Sequence, residues 1–354
     1  MQRSTSFSEQ VLYWFDEYGR KHLPWQQDRT AYRVWLSEIM LQQTQVTTVI
    51  PYFERFITRF PTVQDLALAS HDEVMKLWAG LGYYARARNL HACAKQVVEQ
   101  YQGVFPDSVE MLQQLPGIGR STAGAIVAQA FNRRAVILDG NVKRVLTRYR
   151  MIDGWPGKTS VQKTLWALAD SLTPRDRAAD YTQAMMDLGA TLCRRSKPAC
   201  NQCPIQSDCH ASAQGVTEHF PEKKKRTPLP EKEVHVLLCY LADNNQRLLL
   251  EKRPPSGVWG GLWSLSQCEP AQAPEEVIAT QYGYSVEAIK EAETVSHTFT
   301  HFRLRMRPLQ VRLGLNLDTA MEPSACWCDA VQASHYGMPR PVEKLVTDFF
   351  ESVD

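Results

Sequence analysis

No apolar run in this chain is long enough to cross a membrane as a helix, so a bundle of spanning helices is excluded. The first residues, Met1 to Phe7, lack the apolar core of a secretory signal, and the expectation is an intracellular protein. Before residue 230 nothing alternates polar and apolar as a half-buried strand does. Net charge is also scarce, at +2, but the total hides an asymmetry. Residues 1–226 hold 29 Lys and Arg against 21 Asp and Glu, and residues 227–354 hold 11 against 17. A basic first part suits a polyanion, and the acidic second part offers phosphates no such attraction.

The length of 354 residues favours two domains. Residues 6–18 carry Phe7, Val11, Trp14, Phe15 and Tyr18 at helical spacing, with Ser8 as a candidate cap. Ala31 to Ile50 reads as one helix ended by Pro51, and further helical runs follow at 52–60, 62–69, 71–79, 83–101 and 108–114. Three more are expected near 142–150, 158–172 and 176–190, which makes residues 1–218 an all-α domain. The charged, Pro-rich stretch 219–233 reads as a linker. From 234 the period changes. Val234–Ala242 and Arg247–Lys252 flank an Asp243-Asn244-Asn245 turn, and Gly257–Leu265, Thr294–Thr300 and Phe302–Arg312 read as strands. With helices near 274–282 and 341–352, residues 234–354 form an α+β domain.

Four of the nine cysteines crowd into Cys193-x6-Cys200-x2-Cys203-x5-Cys209. In an intracellular chain this is a metal or cluster site rather than a disulfide framework. Zinc sites usually pair their ligands on two short loops. One compact four-thiolate loop suits a cuboidal iron–sulfur cluster better. Arg194, Arg195 and Lys197 would let the same loop meet phosphates, and stapling the end of the helical domain is an equal use for it.

The stretch 115–141 joins two further signals. Pro116, Gly117 and Gly119 break one helix and open another, whose free N–H groups suit a phosphate. Twenty residues past Gly119 stands Asp139, before Gly140-Asn141 and a helix. By itself such an Asp is an N-cap. Glu38 lies among Val34, Trp35, Leu41 and Gln42 at helical spacing, and is by itself a paired structural carboxylate or one with a raised pKa.

Together these features resemble the helix-hairpin-helix DNA glycosylases that carry an iron–sulfur cluster, and within them the adenine DNA glycosylase (MutY) family. The carrying segments are Leu36–Gln45, Gly80–Asn89, Leu115–Gly124, Leu138–Val145 and the cysteine loop. The resemblance implies a helix-hairpin-helix near 112–131 and a [4Fe-4S] cluster on Cys193, Cys200, Cys203 and Cys209. It implies that Glu38 is the general acid and Asp139 the carboxylate facing the sugar, with Asn141 orienting the site. Gln42 and Tyr83 become candidate wedges for base extrusion, and Gly117, Gly119, Ser121 and Lys143 candidate DNA contacts. Without the resemblance these are a solvated Gln, a core Tyr, turn glycines and a surface Lys. Ser121 stands where related lyases carry a Schiff-base Lys, so a monofunctional enzyme is expected.

Residues from about 230 resemble the Nudix fold without its metal-binding box, since only Glu275-Glu276 stand near the expected place. Phe299-Thr300-His301 matches the loop with which the family reads 8-oxoguanine, with Thr for Ser. The implied substrate is double-stranded DNA with A:8-oxoguanine or A:G mispairs. The implied setting is a monomer in the bacterial cytoplasm, with abasic-site repair enzymes downstream and no membrane. A glycosylase/lyase for oxidised pyrimidines is opposed by Ser121 and by the second domain, a non-catalytic iron–sulfur protein by the carboxylate pair, and a nucleotide pyrophosphatase by the missing box.

Overall fold

The computed structural model describes residues 6–224, 228–241, 247–314 and 324–353. The Asp243-Asn244-Asn245 turn expected from sequence lies outside the described residues. The chain forms two compact units: Met1–Leu68 with Asn89–Arg226, and Ala69–Arg88 with Thr227–Asp354. Among the described residues no helix is long and apolar enough to cross a membrane.

Among its described residues the first unit has helices, turns and loops but no strand. Its opening helix, Phe7–Tyr18, is capped by Ser6 rather than Ser8. Ser6 and Glu9 stand three apart, so the Ser6 hydroxyl takes the Glu9 N–H while the Glu9 carboxylate takes the Ser6 N–H at 2.7 Å. The expected helix 31–50 is two helices, Ala31–Leu41 and Val46–Arg59. The break falls where Gln43 takes a left-handed φ of 61°, and Pro51 sits inside the second helix instead of ending the first. Val49, Phe53 and Phe56 hold that helix against the core, which outweighs the one backbone bond Pro51 cannot make.

Helix Ala31–Leu41 is buried on nearly every side, through Val34, Trp35, Leu36, Ile39 and Met40. It packs on helix Arg120–Phe131, whose buried face is Ala123, Gly124, Ala125 and Ala128. Small residues let the backbones approach. A Cβ at Gly124 would stand 2.2 Å from the Val136 carbonyl oxygen, so the segment leading to Asp139 is pressed onto this helix. Helix Gly140–Arg150 follows, and Gly189 of helix Ala178–Thr191 admits it: a Cβ there would lie 2.5 Å from the Asn141 Cβ. Phe7, Phe15, Val142, Leu146, Leu165 and Leu188 belong to one core, against which Cys193, Cys203 and Cys209 pack.

The second unit is built on an eight-stranded sheet. Its strands are β1 (Glu231–Leu241), β2 (Leu248–Lys252), β3 (Trp263–Ser264), β4 (Ser266–Cys268), β5 (Val286–Glu291), β6 (Val295–Thr298), β7 (Arg303–Leu313) and β8 (Ala325–Cys328). The path is β3-β2-β1-β7-β5, with β4 on β1, β6 on β7 and β8 on β2. The β1–β7 pair is parallel, from Glu231 opposite Arg303 to Leu241 opposite Leu313, and the other pairs are antiparallel. Leu237, Cys239, Leu249 and Val311 meet Ile278 of helix Pro274–Tyr282 in the core. A second helix spans Arg340–Val353.

β1 begins inside the stretch read as a linker, and β5 and β8 were not expected. Helix His71–Trp78, counted from sequence with the helical part, clusters with the sheet. Lys252 pairs with Asp72 at 2.5 Å and Arg88 donates to the Gly260 carbonyl at 2.6 Å.

Candidate active site

Asp139 caps helix Gly140–Arg150, its Oδ1 taking the Val142 N–H at 2.8 Å. The N-cap use of this residue is therefore real. Burial raises its pKa, while the backbone N–H groups of Val142 and Asn141 and the charges of Arg144 and Lys143 favour the carboxylate. Ser121 holds the approach to it: the Leu138 N–H donates to its hydroxyl at 2.9 Å.

Glu38 reaches the same place from helix Ala31–Leu41. Dense protein around its carboxyl pushes the pKa up to about 8, with the negative charge of Asp139 adding to the rise and a hydrogen bond from Gln129 opposing it. The residue as a whole nevertheless keeps some accessible surface. The fold thus brings Glu38 and Asp139 within electrostatic reach of each other across 101 positions. Asn141 gives its backbone N–H to Asp139 and its side chain to Arg144. Its Oδ1 accepts from Arg144 Nη2 at 2.8 Å, and Arg144 Nε donates to the Cys193 carbonyl at 2.7 Å.

The hairpin is made by helix Val109–Leu112, a turn, and helix Arg120–Phe131. Gly117 has φ +77°, a backbone for which glycine is needed. Gly119 is the N-cap and no side chain caps the helix, so the N–H groups of its first turn keep their capacity for an anion. Ile118 anchors the turn in the core at 5% exposure.

Gln42 is part-buried at the C-cap of the Glu38 helix, while Gln43 beside it is exposed. Lys143 is part-exposed on the Asp139 helix. Tyr83 lies in the second unit with φ 51°, 44% exposed, under the Arg86 guanidinium at 5.3 Å.

Cys193, Cys200, Cys203 and Cys209 line one hollow with Val145, Arg148, Leu192 and Ile205. Among the described residues no three acidic, His or Cys side chains converge as ligands of one metal ion would. Arg148 is 2% exposed, and its guanidinium donates to the carbonyls of Thr217, Phe220, Arg194 and Arg195 and reaches the Cys193 sulfur at 3.4 Å. Sequence reading passed over Arg148 and Gln129. Their one signal was polarity at positions where the helical period calls for core.

Phe299-Thr300-His301 forms the tip of the β6–β7 hairpin, closed by the Phe299 N–H on the Phe302 carbonyl at 2.9 Å. Phe299 stacks on Phe302 with centroids 4.6 Å apart and lies 5.5 Å from Trp259. Thr300 and His301 are both exposed, and Thr300 Oγ1 lies 3.4 Å from His301 Nδ1. Glu275 and Glu276 are exposed in the first turn of their helix.

Comparison with known proteins agrees with this geometry. Residues 36–171 match the family described as HhH-GPD superfamily base excision DNA repair protein, and residues 237–348 match the NUDIX domain. The adenine DNA glycosylase of Buchnera aphidicola subsp. Acyrthosiphon pisum is 38% identical over 98% of this chain and 98% of its own. The human adenine DNA glycosylase is 36% identical over 91% of this chain and 70% of its own. Among solved structures, a thermostable thymine-DNA glycosylase is 27% identical with a TM-score of 0.52, covering 59% of this chain and 95% of its own. A non-covalent endonuclease III–DNA complex shares the fold at 22% identity and a TM-score of 0.50, over 59% of this chain and 94% of its own. With identity to curated relatives spread over nearly its whole length, the chain belongs to the adenine DNA glycosylase family, base-excision DNA glycosylases with a helix-hairpin-helix domain and a Nudix-like one.

Proposed function

We propose that this enzyme hydrolyses adenine from A:8-oxoguanine and A:G mispairs in duplex DNA by a monofunctional route. The observation that carries the reading is one pair of carboxylates in unequal surroundings. Glu38, its pKa pushed up to about 8, holds a proton at neutral pH; Asp139 is raised by burial too, but N–H donors from Val142 and Asn141 and the charges of Arg144 and Lys143 oppose that rise. With the target nucleotide extruded, Glu38 donates its proton to adenine N7. The bond from the sugar to N9 breaks, its electron pair leaves with the base, and positive charge develops at C1′. Asp139 stabilises that charge. Glu38, now ionised, takes a proton from water as the hydroxide adds to C1′, which leaves an abasic site and restores the acid. Ser121 offers no amine for an imine, and its hydroxyl is engaged by the Leu138 N–H.

Gly117 and Gly119 place the free N–H groups of helix Arg120–Phe131 against a DNA phosphate, with Lys143 adding charge. Gln42 and Tyr83 are assigned to the gap left by extrusion, Asn141 to orienting the Asp139 turn. The exposed Thr300 and His301, backed by Phe299, read 8-oxoguanine opposite the target. The enzyme acts as a monomer in the cytoplasm and passes abasic sites to downstream repair enzymes.

The four cysteines fit a [4Fe-4S] cluster. The four line one hollow, as the ligands of a single cuboidal cluster would. A cation buried on carbonyls alone is costly, and four thiolates beside Arg148 would compensate it. When bound, the cluster supplies a rigid, anionic staple at the end of the helical unit.

The test is single-turnover release of labelled adenine from both mispairs, with and without alkali to separate base loss from strand cleavage. Glu38→Gln should bind the mispair and release nothing. Near-normal release by that variant would sink the acid assignment.

A further inference from the structure

Helix Arg120–Phe131 buries Ala123, Gly124, Ala125, Ile126, Val127 and Ala128, and then one amide, Gln129. Gln129 Nε2 donates to Glu38 Oε1 at 3.4 Å, and its own Oε1 accepts from Gln26 Nε2 at 2.8 Å. Gln26 Nε2 also donates to Gln183 Oε1 at 2.6 Å, and Gln183 Nε2 donates to Asp187 Oδ1 at 2.7 Å. Asp187, fully buried, takes the Arg20 backbone N–H at 2.8 Å and its Nε and Nη2 at 2.9 and 2.8 Å. Three buried amides therefore join an ion pair to Glu38.

The direction of this chain is not free. A carboxylate only accepts, so Gln183 must turn its NH2 to Asp187 and its oxygen to Gln26. Gln26 must then present NH2, and both hydrogens go to oxygens, one on Gln183 and one on Gln129. Gln129 is left with its N–H toward Glu38. Reversing Gln183 or Gln26 would put two oxygens in contact, and reversing Gln129 would set its NH2 against that of Gln26. The arrangement leaves Gln26 Oε1 buried without a hydrogen-bond partner, a cost it bears because the flipped amide would lose two bonds.

We propose that Gln129 is a positioning residue: held in one sense by Arg20, Asp187, Gln183 and Gln26, its N–H occupies Glu38 Oε1 and confines the transferable proton to Oε2. The proposal rests on the reading of Glu38 as the acid. Without a donor on one oxygen, the two ends of a carboxylic acid share the proton and about half the molecules hold it on the wrong side. The same N–H favours the ionised form, against burial and against the charge of Asp139 on the facing segment. Arg144 and Lys143 act on this pair through Asp139.

The experiment is the pH profile of single-turnover adenine release by the full chain, with mispair affinity and a thermal melt as controls. Variants are Gln129→Leu, Gln129→Met, which fills similar volume without a donor, and Glu38→Gln. Losing the donor should raise the alkaline limb by about 0.5–1 pH unit and lower the plateau by about twofold or more, with affinity unchanged. Both Gln129 variants fold-competent and tight-binding, with limb and plateau unmoved, would overturn the positioning role alone, provided Glu38→Gln is dead. Continued release by Glu38→Gln would overturn the acid assignment and the proposal with it.

Discussion

Replacing Glu38 by Gln should make the protein more stable, and increasingly so as pH rises from about 4.5 to 8. The folded carboxyl has its pKa pushed up to about 8 from 4.5, chiefly by burial and then by Asp139. Below 4.5 the group is protonated in folded and unfolded chains alike and costs nothing. Between the two values the unfolded chain ionises while the folded one resists, so stability falls as pH rises. Above 8 the loss is complete. A shift of that size has a ceiling of about 5 kcal/mol, at about 1.4 kcal/mol per unit. Because Glu38 keeps some solvent exposure, about half of it is the realistic figure. Glu38→Gln removes the titration and keeps the shape. Its melting midpoint should match the parent near pH 4 and exceed it by about 5–10 °C at pH 8.5, for a helical unit of this size. The assay is thermal denaturation followed by far-UV circular dichroism at matched ionic strength. A gap between the two proteins that does not change with pH would refute the raised pKa, and with it the acid held ready at neutral pH.

Ser121→Lys should introduce an amine at the hairpin and yield borohydride-trappable complexes with mispaired DNA, at a stability cost of about 1 kcal/mol for the lost Leu138 N–H bond. Absence of any trapped complex would count against placing the hairpin at the sugar. His301→Ala or Phe299→Ala should shrink the preference for 8-oxoguanine over guanine opposite A, since Phe299 stacks under the exposed tip, and an unchanged ratio would dismiss the loop as the reader. Cys203→Ser should abolish the visible thiolate-to-iron absorption. Arg148→Met should then cost the loaded protein several kcal/mol but the Cys203→Ser protein little, and equal costs in the two backgrounds would contradict charge compensation.

The parts legible in sequence are those where burial imposes a period. Helix Pro274–Tyr282 and the twelve-residue Phe7–Tyr18 read correctly because one face of each meets a core. β5 escaped notice because Val286–Glu291 is exposed at nearly every position, an edge strand with no apolar alternation to read. β8 is only Ala-Cys-Trp-Cys, too short to establish a period. The break after Leu41 carries neither Gly nor Pro; a left-handed Gln43 makes it, and Pro51 misled by standing where a helix could bear it.

The site shows why local reading stops short of chemistry. A Glu among Val34, Trp35 and Leu41 is ambiguous until its neighbours in space are known. Those neighbours arrive from Gln129 and from Asp139, on segments that meet the Glu38 helix only because Ala123, Gly124 and Ala128 let backbones close. Gly124→Ala is therefore a sharper probe of the pair than of the helix. The added Cβ, 2.2 Å from the Val136 oxygen, must push the 133–138 segment and Asp139 outward. Moved apart, the two carboxylates lose part of their coupling, and the Glu38 pKa falls toward its ordinary value. The alkaline limb of adenine release should then move down in pH, opposite to its movement in Gln129→Leu. A limb displaced upward in Gly124→Ala would mean that Asp139 does not act on Glu38 through its charge.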